Sequence, residues 1–278
     1  MVVIESAGIT DVGMKRKGNE DALFLDDEAK LYVVADGMGG HQAGEVASGI
    51  VVDTMRDYMQ RFNEDAEVEE MADFDENLSK EANRLLSSIH LANLGVNQVS
   101  HTKESYRGMG STVSAVYFTD ETLIAANVGD SPIYLVHNGT IERLSVLHTV
   151  SAEHAALDPE GAQNLGREYR HMLTRAMGVE ETVEPDVSEI SHFKGDTLVI
   201  SSDGLSDKVS PEKILDIVTK ERPEKACQAL VDLANERGGE DNVTVIVLKV
   251  KKHRKAGICE LITPIKDLLI NLFKKTSN

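Results

Sequence analysis

The sequence has no tryptophan and only 4% aromatic residues. A hydrophobic core must therefore be assembled from Val, Ile, Leu, Ala and Met. Two cysteines, Cys227 and Cys259, lie in stretches that read as helix and share no CxxC spacing. That excludes a thiolate metal site and predicts two reduced thiols. No run of about 20 apolar residues occurs, which excludes a spanning helix. The opening MVVIESAGITD has neither a basic region nor a long apolar run, so no signal peptide is expected and the cytoplasm is the expected location. Positive charge is scarce, with 29 Lys and Arg against 47 Asp and Glu, a net of −18. A nucleic-acid binder needs cationic contacts to phosphates, and this balance argues against one.

What is present is a patterned soluble chain, 41% hydrophobic and 27% charged over 278 residues. Strands are predicted at Val2–Ile9, Ala22–Leu25, Leu31–Ala35, Ser111–Phe118, Thr122–Val128, Ile133–Val136, Thr140–Leu144, Thr197–Ser201 and Val243–Val250. Helical periodicity covers His41–Phe62, Asn77–Val99, Lys213–Thr219 and Glu224–Glu236. Residues 63–81 are strongly acidic and read as a solvated loop leading into the second helix. Strands do not alternate regularly with helices, which disfavours a doubly wound parallel sheet. Hairpin-linked strands with paired helices predict antiparallel sheets covered by helices.

One domain is expected over residues 1–250, with a polar inserted flap at about 145–179. From Lys249 onward the balance reverses to a net of +6. There the basic run KKHRK precedes apolar residues at helical spacing from Ile258 to Phe273. Residues 251–278 are read as a basic linker and an amphipathic helix. Three seats for that helix stand open: its own domain, a partner protein, or an anionic membrane surface.

The chemistry is carried by acids at strand ends. Glu20 and Asp21 stand in GNED, Asp36 in VADGMGG, Asp130 in NVGDS, Asp203 in ISSDG and Asp241 in GGEDNVTV. Gathered together, such carboxylates repel and their pKa values rise. A hard divalent cation such as Mg²⁺ or Mn²⁺ removes that penalty, because it prefers oxygen ligands. Gly37 frees the chain to turn and offers its carbonyl as a further oxygen. Asp36, Asp203 and Asp241 are candidates to share one ion, with Asp36 bridging to a second. A two-metal site can turn water into a nucleophile that attacks phosphorus directly. Arg16 can grip two phosphate oxygens. No CX5R loop, GxSxG elbow, GxxxxGK[ST] loop or kinase set competes with this reading.

These stretches resemble the PPM-type, metal-dependent protein serine/threonine phosphatases, and their compact bacterial members in particular. TDVGMKRKGNED, LYVVADGMGGHQAGEVAS, GMGSTVSAV, ANVGDSPIY, HMLTRAMG, DTLVISSDGLSD and GGEDNVTVIV occur in the family's order over nearly all of residues 6–250. The resemblance implies an α+β fold: a central antiparallel β-sandwich flanked on both faces by helix pairs, in four αββα layers. It implies hydrolysis of phosphoserine and phosphothreonine by a hydroxide bridging two Mn²⁺ or Mg²⁺ ions, with Arg16 on the substrate phosphate. Asp36 would bridge the ions and Asp203 and Asp241 would complete the first site. The Gly37 carbonyl and the Glu20/Asp21 pair, directly or through water, would serve the second. Asp130, Asp203 and Asp207 would match a third, weaker site, and Asn242 would support the first from behind. The implied partners are phosphorylated protein substrates of a Ser/Thr kinase, acted on by a monomer.

Three departures stand out. Pro132 replaces the arginine common after GDS, and Ser111 replaces threonine in GMGST. Met38 stands where eukaryotic members have a histidine after Asp-Gly, which leaves water to protonate the leaving group. His41 is the neighbouring histidine. In the flap, Arg167, Arg170, His171 and Arg175 are candidates to attract phosphopeptides. The alternative from another class is a regulatory phosphoprotein-binding module whose metals are structural. Its mark would be a lost metal acid or a lost Arg16, and neither is missing.

Overall fold

The computed structural model describes residues 2–39, 43–64, 75–158, 166, 169 and 171–252. His41, Arg167, Arg170, Cys259, most of the acidic loop and nearly all of the C-terminal segment lie outside the described residues.

Among the described residues, eleven strands form two sheets. They are β1 (Val3–Asp11), β2 (Asp21–Asp26), β3 (Leu31–Met38), β4 (Gly110–Ser111), β5 (Val113–Phe118), β6 (Thr122–Val128), β7 (Ile133–His137), β8 (Thr140–Arg143), β9 (Asp186–Ser191), β10 (Thr197–Ser201) and β11 (Val243–Lys252). One sheet runs β1-β11-β10-β7-β8 and the other β2-β3-β5-β6-β9, with β4 paired to β3. Every strand pair is antiparallel. The helices are α1 (Ala43–Glu64), α2 (Lys80–Ser100), α3 (Val150–Leu157), α4 (Asp203–Ser206), α5 (Pro211–Lys220) and α6 (Pro223–Glu236).

Period-two patterning explains the layers. Along β3, Leu31, Val33 and Ala35 join the core under α1 and α2, while Tyr32 and Val34 face the other sheet. Along β11, Val243, Val245 and Val247 pack beneath α5 and α6, while Ile246, Leu248 and Val250 face inward. Strands buried on both faces read as continuous apolar runs. Three hydrophobic cores therefore separate four layers, αββα. Tyr32 and Phe118 meet edge to face between the sheets at 6.1 Å, which makes two of the few aromatic rings serve one core.

The structure differs from the sequence expectation in several places. β9 has no counterpart among the predicted strands, and α3 is a short helical piece within the flap. β9 is partly exposed along its length, and α3 has no buried residue, so neither carries a strong hydrophobic signal. β11 runs two residues beyond the expected boundary at 250. Among the described residues, no helix is long and apolar enough to cross a membrane.

Candidate metal and phosphate site

The site forms where strand ends of both sheets meet. Asp21 on β2 lies in register with Asp36 on β3. The Asp36 carbonyl accepts from Thr112 N at 2.8 Å and from Ser111 Oγ at 3.0 Å, while its own N–H donates to Thr112 Oγ1 at 3.0 Å. The backbone of Asp36, near the end of β3, is thus held by three hydrogen bonds with Ser111 and Thr112.

Gly37 is required by space. A Cβ there would lie 2.0 Å from the Gly44 carbonyl oxygen, well inside contact distance, and its N–H donates to the Glu20 carbonyl at 3.0 Å. The start of α1 therefore rests directly on the Asp-Gly turn.

The segment from Val12 to Glu20 is tied to the far end of the chain. Asn242 Oδ1 accepts from Glu20 N at 2.8 Å, and its Nδ2 donates to the carbonyls of Val12 and Gly18 at 2.9 and 3.0 Å. Gly239 O accepts from Met14 N and Lys15 N. Arg16 Nη2 reaches Asp241 Oδ2 at 2.7 Å. Asn242 thus shapes the loop that carries Arg16 and Glu20.

Arg16, Glu20, Asp36, Gly37, Asp130, Asp203 and Asp241 line one cavity of about 480 Å³. Asp21 lies buried and is not among the residues that line it. Its Oδ2 accepts from Thr244 Oγ1 at 2.7 Å. Asp207 lines an adjoining cavity of about 300 Å³, together with Asp130, Asp203 and His171.

The electrostatics are those of carboxylates removed from water and crowded. Burial pushes Asp21 up to about 6 and Asp130 up to about 6. Burial, then the charges of Asp130, Asp207, Asp241 and Asp21, push Asp203 up to about 8. Burial and the neighbouring aspartates, Asp21 first, hold Asp36 well above the ordinary range. Asp21 Oδ1 and Asp203 Oδ1 are buried without a hydrogen-bond partner. Buried oxygens of this kind require explanation. All of these donors are oxygens, the set that Mn²⁺ and Mg²⁺ prefer, so the residues fit a hard divalent cation.

His171 was read from the sequence only as a phosphopeptide attractor. It stands 3.8 Å from Asp203 and 3.5 Å from Asp207, and offers a ring nitrogen to a cluster with Asp130 and Asp203 whose ligand atoms all lie within 4.8 Å of one another. Its place depends on the irregular path of the flap, for which the sequence has no periodic signal. Two bridges pin the flap's return, Thr149 to Leu173 and Ser111 to Met177.

Comparison with known proteins agrees in every direction. The family model described as protein phosphatase 2C matches residues 15–242. The serine/threonine phosphatase stp of Listeria welshimeri is 34% identical over 248 residues, covering 86% of this chain and 93% of that protein. The solved serine/threonine phosphatase PstP/Ppp of Mycobacterium tuberculosis superposes with a TM-score of 0.77 at 30% identity, over 91% of this chain and 100% of that one. A structure of the PstP catalytic domain in complex with two manganese ions gives the same TM-score, identity and coverage.

Proposed function

Because this chain belongs to the protein phosphatase 2C family, we propose which of its residues carry the hydrolysis. The protein is a metal-dependent serine/threonine phosphatase of the bacterial type, a hydrolase acting on phosphoproteins with Mn²⁺ or Mg²⁺. Asp36, Asp203 and Asp241 would hold the first ion. Asp36, the Gly37 carbonyl and the Glu20/Asp21 pair, directly or through water, would hold the second, and Asp130, Asp203 and Asp207 would offer a third seat. When bound, such ions lower the pKa of water to supply the nucleophile and offset charge on the phosphoryl group.

The observation that carries this assignment is a pair of buried, unpartnered carboxylate oxygens, Asp203 Oδ1 on a residue lining the carboxylate-rich cavity and Asp21 Oδ1 on a residue buried behind it. Each leaves a carboxylate oxygen free for a cation. Arg16 stands at the rim and binds two phosphate oxygens with its fork of N–H donors. Asn242 holds the loop that aims it. Met38 also lines the cavity and has no proton to give, so the residue after Asp-Gly serves shape rather than proton transfer.

The test is release of phosphate from p-nitrophenyl phosphate and from a phosphothreonine peptide with added Mn²⁺, and loss of both in Asp36→Ala and Asp203→Ala chains that still melt cooperatively. A folded wild-type chain inert with fresh Mn²⁺ would overturn it. The substrates are those of a Ser/Thr kinase, and the enzyme works as a cytoplasmic monomer forming one domain over residues 1–250. Residues 253–278 lie outside the described residues. Liposome flotation with and without residues 256–278 decides whether this segment docks on an anionic surface. Equal flotation removes that reading.

A further inference from the structure

The catalytic cavity does not end at the phosphate seat. It shares Thr174, Arg175, Ala176 and Val179 with a second cavity of about 450 Å³. That one shares Arg175, Thr182, Val183 and Glu184 with a third, of about 520 Å³, which reaches α2. The three form one trough, and Arg175 lines all of it.

The wall of this trough is built rather than draped. Gly178 N donates to Asn93 Oδ1 at 2.7 Å and Asn97 Nδ2 donates to Gly178 O at 3.1 Å. Gly178 has φ +81, and a Cβ there would lie 2.1 Å from Val96 Cγ1. Asn93 Nδ2 also donates to the carbonyls of Glu180 and Glu181. Arg175 Nη1 donates to Glu184 O at 2.9 Å and pairs with Asp186 Oδ2 at 3.0 Å. Asp186 is fixed in turn by His148 Nε2 at 2.6 Å. His148 Nδ1 accepts from Gly129 N, so Nε2 carries the proton it donates. This wall is therefore tied both to α2 and to the turn before Asp130.

Away from the phosphate seat, acids dominate the trough's rim, with Arg175 and His90 the basic side chains that line it. Arg175 is neutralised by Asp186, and no described cation pairs with the side chains of Glu180, Glu181 or Glu184. Asp75 adds a fourth acid at the α2 end. Between these acids lie Leu86, Leu94, Val183 and Pro185. Apolar floor with carboxylate rim suits side chains that have an aliphatic stem and a cationic head.

Resting on the phosphatase reading of the catalytic cavity, we propose that this trough seats the polypeptide beside the phosphorylated residue and selects substrates with Lys or Arg on that flank. Charge complementarity names the occupant: an acidic flank or an anionic membrane is repelled here, and a neutral one has no partner for the rim acids.

The experiment compares phosphothreonine peptides that differ only in carrying Arg, Ala or Glu on the N-terminal or the C-terminal side. It uses the full chain with Mn²⁺, with p-nitrophenyl phosphate measured beside them. On one side, Arg should exceed Glu in kcat/KM by about tenfold, and added salt should shrink the ratio. Glu181→Gln/Glu184→Gln should bring the Arg-to-Glu ratio close to one, and Glu181→Lys/Glu184→Lys should invert it. The ratio is unmoved by a general loss of activity. Flat kinetics across the peptides, or a preference that survives both variants, overturns the trough while p-nitrophenyl phosphate turnover stands. Loss of that turnover in the unsubstituted chain overturns the phosphatase reading and the trough with it.

Discussion

Arg16 Nη2 and Asp241 Oδ2 lie 2.7 Å apart although 225 residues separate them. Both side chains keep substantial exposure, 48% and 37%, so the pair contributes little to stability and leaves the guanidinium at the cavity rim. Arg16→Ala should lower kcat/KM for p-nitrophenyl phosphate by about 10- to 100-fold, as the loss of charge-assisted bonds to phosphate predicts. Its melting free energy should change by less than about 1 kcal/mol. Kinetics and denaturant melts on the same preparation check both halves, and unchanged kcat/KM would remove Arg16 from the phosphate seat.

Metal removal should expose the crowding. Asp21 and Asp130 are pushed up to about 6 and Asp203 up to about 8. A carboxylate whose folded pKa exceeds its unfolded value contributes stability below the unfolded pKa, near 4, and loses it as pH rises through the folded one. In EDTA, this cluster's contribution should therefore decline from about pH 4 to about pH 8. Mn²⁺ competes with those protons and binds the folded state, so its stabilisation should be larger at pH 8 than at pH 5.5. Thermal scans with EDTA or Mn²⁺ at the two pH values measure this, and equal Mn²⁺ shifts would contradict it.

Asp36→Asn separates folding from function. Removing the most crowded charge should stabilise the metal-free protein at pH 8 by about 1 kcal/mol or more, since one pKa unit corresponds to about 1.4 kcal/mol. The same change should abolish turnover and weaken Mn²⁺ binding by calorimetry. A less stable metal-free variant would argue that Asp36 is held by contacts rather than strained by its neighbours.

Much of this was legible because burial writes itself into sequence. β3 and β10 are buried on both faces, so each reads as an apolar run, and the aspartate that follows or ends it stands out. The Asn138-Gly139 turn between β7 and β8 was equally plain, with both residues at positive φ. β9 was not, because an edge strand of the sequence DVSEIS, partly exposed throughout, lacks either signature. The acids were recognisable one by one, but their division of labour was not. Glu20 and Asp21 are neighbours in sequence, yet Glu20 lines the cavity and Asp21 is buried against Thr244. Asp21 opens β2 in register with Asp36, while Glu20 still belongs to the loop that Asn242 and Gly37 hold, and only those long-range contacts fix which is which. His171 and the trough beside Arg175 arise from irregular backbone, where side-chain position follows no period.

Gly37→Ala tests the backbone rather than the charge. The added methyl would meet main-chain oxygens of Gly44 and Glu20 at 2.0 and 2.6 Å, and neither can rotate away. A loss of about 1–3 kcal/mol is expected, visible as a lower denaturant midpoint with an unchanged slope. A neutral Gly37→Ala would mean that α1 can shift from the turn.

The pairing of β1 with β11 has a consequence in time. These strands, the first and last of the described chain, lie side by side from Asp11–Val243 to Val3–Lys252. A ribosome making about 5–20 residues per second would need roughly 10–45 s to go from Arg16 to Asp241. Throughout that interval the loop carrying Arg16 and Glu20 has no Asn242 to shape it, and β1 has no neighbour in its sheet. On the site assignment proposed above, the nascent protein therefore lacks a complete site. The sheet closes only when β11, the last described strand, enters between β1 and β10.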